Sequence, residues 1–353
     1  MIDALIGGIV GLLLGVIFED PLKSLWRVVT RFFKRLFVKA KDIQDPHYFT
    51  LGSEVTSFVV CDGDGEMNYA LENIETRLTA SKPILDPDLQ SLKNEIESIE
   101  KENLLNGEKH SWNGPLYTLE KHMVLRTHTN EDMKVVFTFT PGDYYTFKAL
   151  NTNLDYILPD GESIRHKYLA NASPKKPIVQ LANGFGVALV VITSDGQTIL
   201  TKRSPDSGVR PDELDIGIVE AVHPSQDRGA SGQGPDFFKT AIRGAKEELG
   251  ITVREQDIRL LGYGVDEEYY QWNIIGIVYC NESSEDIVQN RSRGISGKWE
   301  LENLRFIPFK IDPVLQIMKN EKMWSTAKIA LYWGLIHDHT RSSVDTKVKR
   351  IYS

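Results

Sequence analysis

Glu247 and Glu248 stand side by side, and Arg243 precedes Glu247 by four residues. Residues four apart share one face of a helix, so the Arg243 guanidinium and the Glu247 carboxylate can pair. Two carboxylates near a helix C-terminus sit at its negative end and repel one another. A hard divalent cation, magnesium being the expected one, or the arginine itself relieves that repulsion. A diphosphate needs the same cation, because magnesium bridges a few protein carboxylates to substrate phosphates. Glu247 and Glu248 are therefore candidate metal ligands and, in an active enzyme, candidate catalytic residues. Lys202, Arg203, Glu220 and Arg243 are candidates for holding the ligand.

The elements that must position these residues are legible from local patterning. Residues 236–251 read as a helix: Asp236 is placed to cap it, Phe237, Ala241, Ala245 and Leu249 recur every four residues, and Gly250 is placed to end it. Ahead of it, VALVVIT, the turn Ser194-Asp195-Gly196 and QTILTKRS form a hairpin that delivers Lys202 and Arg203 at a strand end. A further strand over residues 215–222 carries Glu220, and residues 224–235, rich in Gly, Ser, Asp and Gln, form a loop. Strands follow at 258–262 and 273–280, with Tyr269, Tyr270 and Trp272 ahead of the second, placed either to stack on a base or to pack. A helix over 325–337 closes the pattern.

The stretch from Arg243 to Ile251, RGAKEELGI, resembles the second half of the Nudix box, GX5EX7REUXEEXGU with U apolar, and the resemblance covers roughly residues 186–337. It implies an α/β (α+β) Nudix-like sandwich, with Glu247 and Glu248 matching the metal-binding glutamates and Arg243 the arginine that orients them. The match departs at two places. Gly244 stands where the family has a glutamate, and Pro235 where the box has its first one. Losing the carboxylate at 244 weakens the case for multi-metal hydrolysis. Glu220 is one candidate replacement, and Glu267 or Glu268, from a later loop, another.

At the other end, residues 4–18 (ALIGGIVGLLLGVIF) carry no charge. As a helix they span roughly 22–27 Å once the first residues are drawn in, at or just under a bilayer's hydrocarbon thickness. The expected organisation is a transmembrane helix over 1–20, a basic amphipathic juxtamembrane helix over 21–41, a mixed α/β accessory subdomain over 42–175, the Nudix-like domain over 176–340 and a tail over 341–353. Lys23, Arg27, Arg31, Lys34, Arg35, Lys39 and Lys41 follow the apolar run, which favours a single pass in the cytoplasmic (inner) membrane with the C-terminal domains cytoplasmic. The alternative for a run this short is a buried helix. Gly7, Gly11 and Gly15 recur every four residues, a groove along which two copies can associate as a homo-oligomer. Within the accessory stretch, residues 86–107 read as a helix with Leu89, Leu92, Ile96 and Ile99 on one face, and Val135, Phe137 and Phe139 alternate as in a strand.

Composition excludes some classes. A formal charge of −8 over 353 residues argues against a binder of DNA or RNA polymers. The two cysteines, Cys61 and Cys280, are far apart and offer neither metal-ligand spacing nor a disulfide framework. Two readings of different class remain. In one, the chain resembles the membrane-linked Nudix effectors of cyclic-oligonucleotide (CBASS) antiphage systems: a nucleotide ligand binds the domain, and the membrane helices assemble and disrupt the bilayer. In the other, it is a membrane-anchored, magnesium-dependent Nudix hydrolase of nucleoside diphosphate derivatives.

Overall fold

The computed structural model describes residues 48–126, 133–205, 209–229, 234–292 and 301–353. The expected transmembrane and juxtamembrane helices, with Gly7, Gly11 and Gly15, lie outside them. Among the described residues no helix is long and apolar enough to cross a membrane.

Tyr48–Ser353 forms one compact unit. In chain order it contains β1 (Tyr48–Leu51), β2 (Glu54–Gly63), β3 (Ile74–Leu78), α1 (Pro87–Leu105), β4 (Pro115–Arg126), β5 (Met133–Asp143), α2 (Tyr144–Leu150) and α3 (Ile164–Leu169). There follow β6 (Gly186–Ile192), β7 (Gln197–Arg203), β8 (Leu214–Ile216), β9 (Ile218–Ala221), α4 (Phe237–Gly244), β10 (Ile258–Asp266), β11 (Gln271–Tyr279), α5 (Ser284–Ser292), β12 (Leu301–Pro308), α6 (Ile311–Asn320), α7 (Ser325–Asp338) and α8 (Arg341–Ile351).

The large sheet runs β1-β2-β10-β11-β6-β7-β12, with β9 on β6 and β8 on β7; a small sheet runs β3-β5-β4. In the large sheet β6 and β11 pair in parallel, and every residue of β6 is buried. That is why VALVVI is a continuous apolar run rather than an alternating one. The β6–β7 hairpin is paired at its turn, Ile192 with Thr198, and then opens. The strand expected over 215–222 enters the fork broken in two, β8 pairing β7 and β9 pairing β6. Gly217 sits at the break, where an added Cβ would lie 3.0 Å from Val191 and 3.4 Å from Ile199.

Helices cover both faces. On one, α4 and the turn after it pack Phe237, Ala241 and Leu249 against Val187, Leu189 and Ile218. On the other lie α6, α7 and α8, with Leu315, Trp324, Leu331, Val344 and Val348 buried against Val190, Ile275 and Ile277. Residues 341–353, drawn from sequence as a tail, thus form a packed helix: Val344, Val348 and Ile351 recur at helical spacing and are buried. The stretch assigned to an accessory subdomain is divided. β1 and β2 belong to the large sheet, β2 pairing with β10. The small sheet joins the α4 side through aromatic rings, Phe137 lying 5.4 Å from Phe237 and 4.8 Å from Tyr263 between centroids. At roughly 1.5–3 kcal/mol per buried aromatic side chain, this cluster makes the two sheets one core.

Candidate functional site

The expected helix over 236–251 is present as α4 followed by one π-helical turn, Ala245–Leu249. Asp236 caps it, accepting from the Phe238 and Lys239 amides, and Gly250 ends it with a left-handed φ of 69°. The turn that carries Glu247 and Glu248 is therefore wound more loosely than an α-helix.

Arg243 is the centre of the site. Its Nε donates to Asp227 Oδ1 at 2.9 Å and its Nη2 to Asp227 Oδ2 at 2.8 Å. Nη2 also donates to the Ala221 carbonyl at 2.8 Å, and Nη1 reaches Glu220 Oε1 at 2.9 Å and Glu247 Oε2 at 3.1 Å. A guanidinium has five N–H donors, and these contacts engage all of them. Burial alone would lower the Arg243 pKa; its hydrogen bond to Asp227 and the pull of Glu220 more than reverse that, so it stays charged. Burial raises the Glu220 carboxyl above the ordinary range, Arg243 works against the rise, and Glu247 and Asp227 add to it.

Asp227 is the residue that sequence reading missed. It is fully buried in the loop before α4 and also accepts from the His223 amide at 2.7 Å and Thr240 Oγ1 at 3.0 Å. The polar loop has no periodicity to single it out; the available signal was an acidic residue in a loop leading into an arginine-bearing helix.

Gly244 explains why Glu220 is where it is. An added Cβ at 244 would lie 2.9 Å from Ile218 Cγ2, 3.1 Å from Glu220 Cβ and 3.4 Å from Glu220 Cγ. The helix thus lies directly on β9, and the side-chain carbons of Ile218 and Glu220 crowd the place where a side chain at 244 would begin. Glu220, expected as a candidate replacement carboxylate, lies here against Arg243. Glu267 and Glu268 go elsewhere: Tyr48 donates to Glu267, and Glu268, raised chiefly by burial, faces Asp266 and Glu213.

The paired glutamates diverge. Glu247, 41% exposed, turns to Arg243, while the charge of Glu248 acts on the buried Arg291 of α5. Lys202 pairs loosely with Asp212 at 3.5 Å, both of them exposed, and Arg203 Nε donates to the Val209 carbonyl at 2.9 Å. Both cations thus serve the β7–β8 connection. Tyr270 and Trp272 pack edge to face with centroids 6.1 Å apart, and the Tyr270 hydroxyl accepts from the Ile178 amide.

These residues do not fit a catalytic divalent cation. Three carboxylates, from Glu220, Asp227 and Glu247, converge on one guanidinium whose five donors they and the Ala221 carbonyl occupy, while the charge of Glu248 acts on Arg291. Among the described residues no group of three or more His, Cys, Asp or Glu side chains is arranged to hold a metal ion. What the arrangement can do is fix the β9–α4 junction rigidly and present the Glu247 side of it to solvent.

No family model and no curated protein matches the chain. Among solved structures it is similar to DR0079 from Deinococcus radiodurans, at 16% identity over 57% of this chain and 99% of that one, with a TM-score of 0.30. It is also similar to a NUDIX hydrolase from Alicyclobacillus acidocaldarius, at 13% identity over 46% of this chain and 95% of that one, TM-score 0.34. A third is the Bacillus subtilis pyrophosphohydrolase BsRppH, at 14% identity over 48% and 83%, TM-score 0.26.

Proposed function

We propose that residues 186–337 form a Nudix-like domain that binds a nucleotide without hydrolysing it, and that binding is the signal the protein transmits. The single observation that carries this reading is the saturated Arg243: the arginine of the box is present and fully engaged, but it holds Glu220, Asp227 and Glu247 together where a hydrolase would hold metal. Gly244 lies flat on β9, so the missing carboxylate has no room to return. Scaffold and ligand recognition survive such a change; metal-activated water does not.

The finer proposal is a membrane-anchored effector. The ligand is a nucleotide second messenger of the cyclic-oligonucleotide class, and its binding drives assembly of the N-terminal helices and membrane disruption in antiphage defence. The uncharged run at 4–18 with its glycine spacing, and the basic stretch behind it, support that output. The chain is then a single-pass, self-associating protein of the cytoplasmic membrane.

The test is incubation of the pure full chain, in detergent or liposomes with magnesium, with a panel of nucleoside diphosphate derivatives and cyclic oligonucleotides. Tight binding without turnover, and dye release from liposomes on addition of the bound nucleotide, are expected. Rapid hydrolysis of a diphosphate would establish the anchored hydrolase instead.

A further inference from the structure

The small sheet ends at β3, and between that strand and the start of α4 lies a cavity of about 730 Å³. Pockets that enclose small ligands run to roughly 300–1,000 Å³, so a nucleotide is within its capacity. One wall is β3 with Lys134 of β5; the other is the stretch from Pro235 to Lys239. The cavity is separate from the Arg243 cluster. Lys239 at one end of the helical segment and Glu247 at the other stand roughly 10–12 Å apart along its axis.

The two walls are fastened together beside the cavity. The Gly234 amide donates to the Thr76 carbonyl at 3.1 Å, and Thr76 Oγ1 donates to the Pro235 carbonyl at 2.7 Å. An added Cβ at Gly234 would lie 3.0 Å from the Arg77 carbonyl oxygen and 3.1 Å from its amide nitrogen, so the loop lies close on the β3 edge. The same loop runs back to the Arg243 cluster. The Asp236 amide donates to the Asp227 carbonyl at 2.7 Å, and Lys239 Nζ to the Arg228 carbonyl at 2.7 Å. The strand that borders the cavity and the aspartate that grips Arg243 are thus joined through one short loop.

Among the described residues, the lining includes the cations Arg77, Lys134 and Lys239 and the carboxylates Glu72, Glu75 and Asp236. Asp236 is spent on the first amides of α4. Glu75 is shared: Arg77 Nε reaches it at 2.6 Å and Lys134 Nζ at 2.5 Å. Those two bonds, Lys134's foremost, hold its carboxyl below the ordinary glutamate range. One carboxylate between two cations leaves a positive charge in excess on the β3 wall. Neither cation is sealed off, the Arg77 and Lys134 side chains being 53% and 35% exposed. Ile74 and Phe238 add apolar lining, one from each wall.

We infer that this cavity, rather than the Glu247 end of the helix, takes the nucleotide, and the inference rests on the nucleotide-binding reading above. Arg77 and Lys134 hold a phosphate, since hydrogen bonds from a guanidinium and an ammonium to an anion are the strong kind. Glu75 competes with that phosphate for the same two cations and so limits the affinity. The sugar and base lie against Ile74 and Phe238. A ligand that touches both walls ties β3 to the start of α4 and acts on the loop that holds Asp227 against Arg243, which gives binding a route to the rest of the domain.

The experiment measures binding of AMP, GMP, cyclic di-AMP and adenosine to the full chain in detergent by equilibrium dialysis, comparing wild type with Arg77→Gln, Lys134→Gln and Glu75→Gln. Nucleotide affinity is expected to fall about tenfold in each of the first two. It should rise in Glu75→Gln, where the competing carboxylate is gone, and adenosine, which has no phosphate, should be indifferent to all three. Bound nucleotide should also slow hydrogen exchange at residues 74–77 and 235–239, a readout that needs no variant. Nucleotide binding that Arg77→Gln and Lys134→Gln leave unchanged overturns the cavity while the sensing role stands. So does a loss of affinity confined to Glu247→Gln and Glu248→Gln, or protection from exchange that spares both walls. No nucleotide binding to wild type overturns the sensing role and the cavity together, whereas hydrolysis of a nucleotide that still needs Arg77 and Lys134 overturns the sensing role alone.

Discussion

Placing a glutamate at position 244, where the motif this stretch resembles has one, is the sharpest perturbation available, because it tests the β9–α4 contact and the proposed absence of hydrolysis at once. In Gly244→Glu the new Cβ falls 2.9 Å from Ile218 Cγ2 and 3.1 Å from Glu220 Cβ. Overpacking of this kind costs about 1–3 kcal/mol. Replacing a helical glycine returns roughly 0.5–1 kcal/mol. The new carboxylate arrives beside Glu220, Asp227 and Glu247, with every Arg243 donor taken, and an unsatisfied group there costs about 1–3 kcal/mol more. The net expectation is a loss of about 2–4 kcal/mol, or roughly 4–10 °C in Tm, read by circular dichroism on thermal and urea unfolding. In a Glu220→Ala background the contacts with Ile218 Cγ2 and the Cβ at 220 remain, but an Arg243 donor is freed for the new carboxylate, so the same substitution should cost about 1–3 kcal/mol less. A Gly244→Glu protein as stable as wild type, or one that gains magnesium-dependent diphosphate hydrolysis, would refute the reasoning.

Other outcomes follow from the same contacts. Arg243→Ala leaves Asp227 buried without its main partner and should cost about 3–5 kcal/mol in urea unfolding. Glu220, whose carboxyl is raised by burial, binds its proton more tightly folded than unfolded; stability should therefore fall as pH rises from the ordinary glutamate range through the raised value, and Glu220→Gln should flatten that part of the stability–pH curve. Phe137→Ala removes the ring that touches Phe237, Phe185 and Tyr263 and should cost about 3–5 kcal/mol, lowering the unfolding midpoint of the whole domain in one transition.

What the chain revealed in advance was local. The helix over 236–251, its caps and the β6–β7 hairpin follow from spacings within a few residues, and each is present. Glu220 stands out in the sequence only as an acidic residue on a strand ahead of the long loop; its bond to Arg243 is a tertiary fact. Asp227 was not, since a polar loop has no period and its role depends on Arg243 reaching back 16 residues. The placing of β1 and β2 in the large sheet was illegible for a related reason: the pairing partner is β10, and no local pattern records it. The division of Glu247 and Glu248 between Arg243 and Arg291 depends on α5 lying beside the π turn, again a tertiary fact.

The pairing of β2 with β10 also sets a clock. Gly63 lies opposite Gly262, about 200 residues later in the chain. At translation rates of roughly 5–20 residues per second, β2 leaves the ribosome about 10–40 seconds before its neighbour exists. Through that interval β2 has β1 on one edge only, and Phe58 and Val59, both fully buried in the finished sheet, lack their partners on β10. Nascent chains are therefore most vulnerable to self-association before β10 is made, and synthesis slowed within that window should lower the soluble yield while leaving the finished protein's stability unchanged.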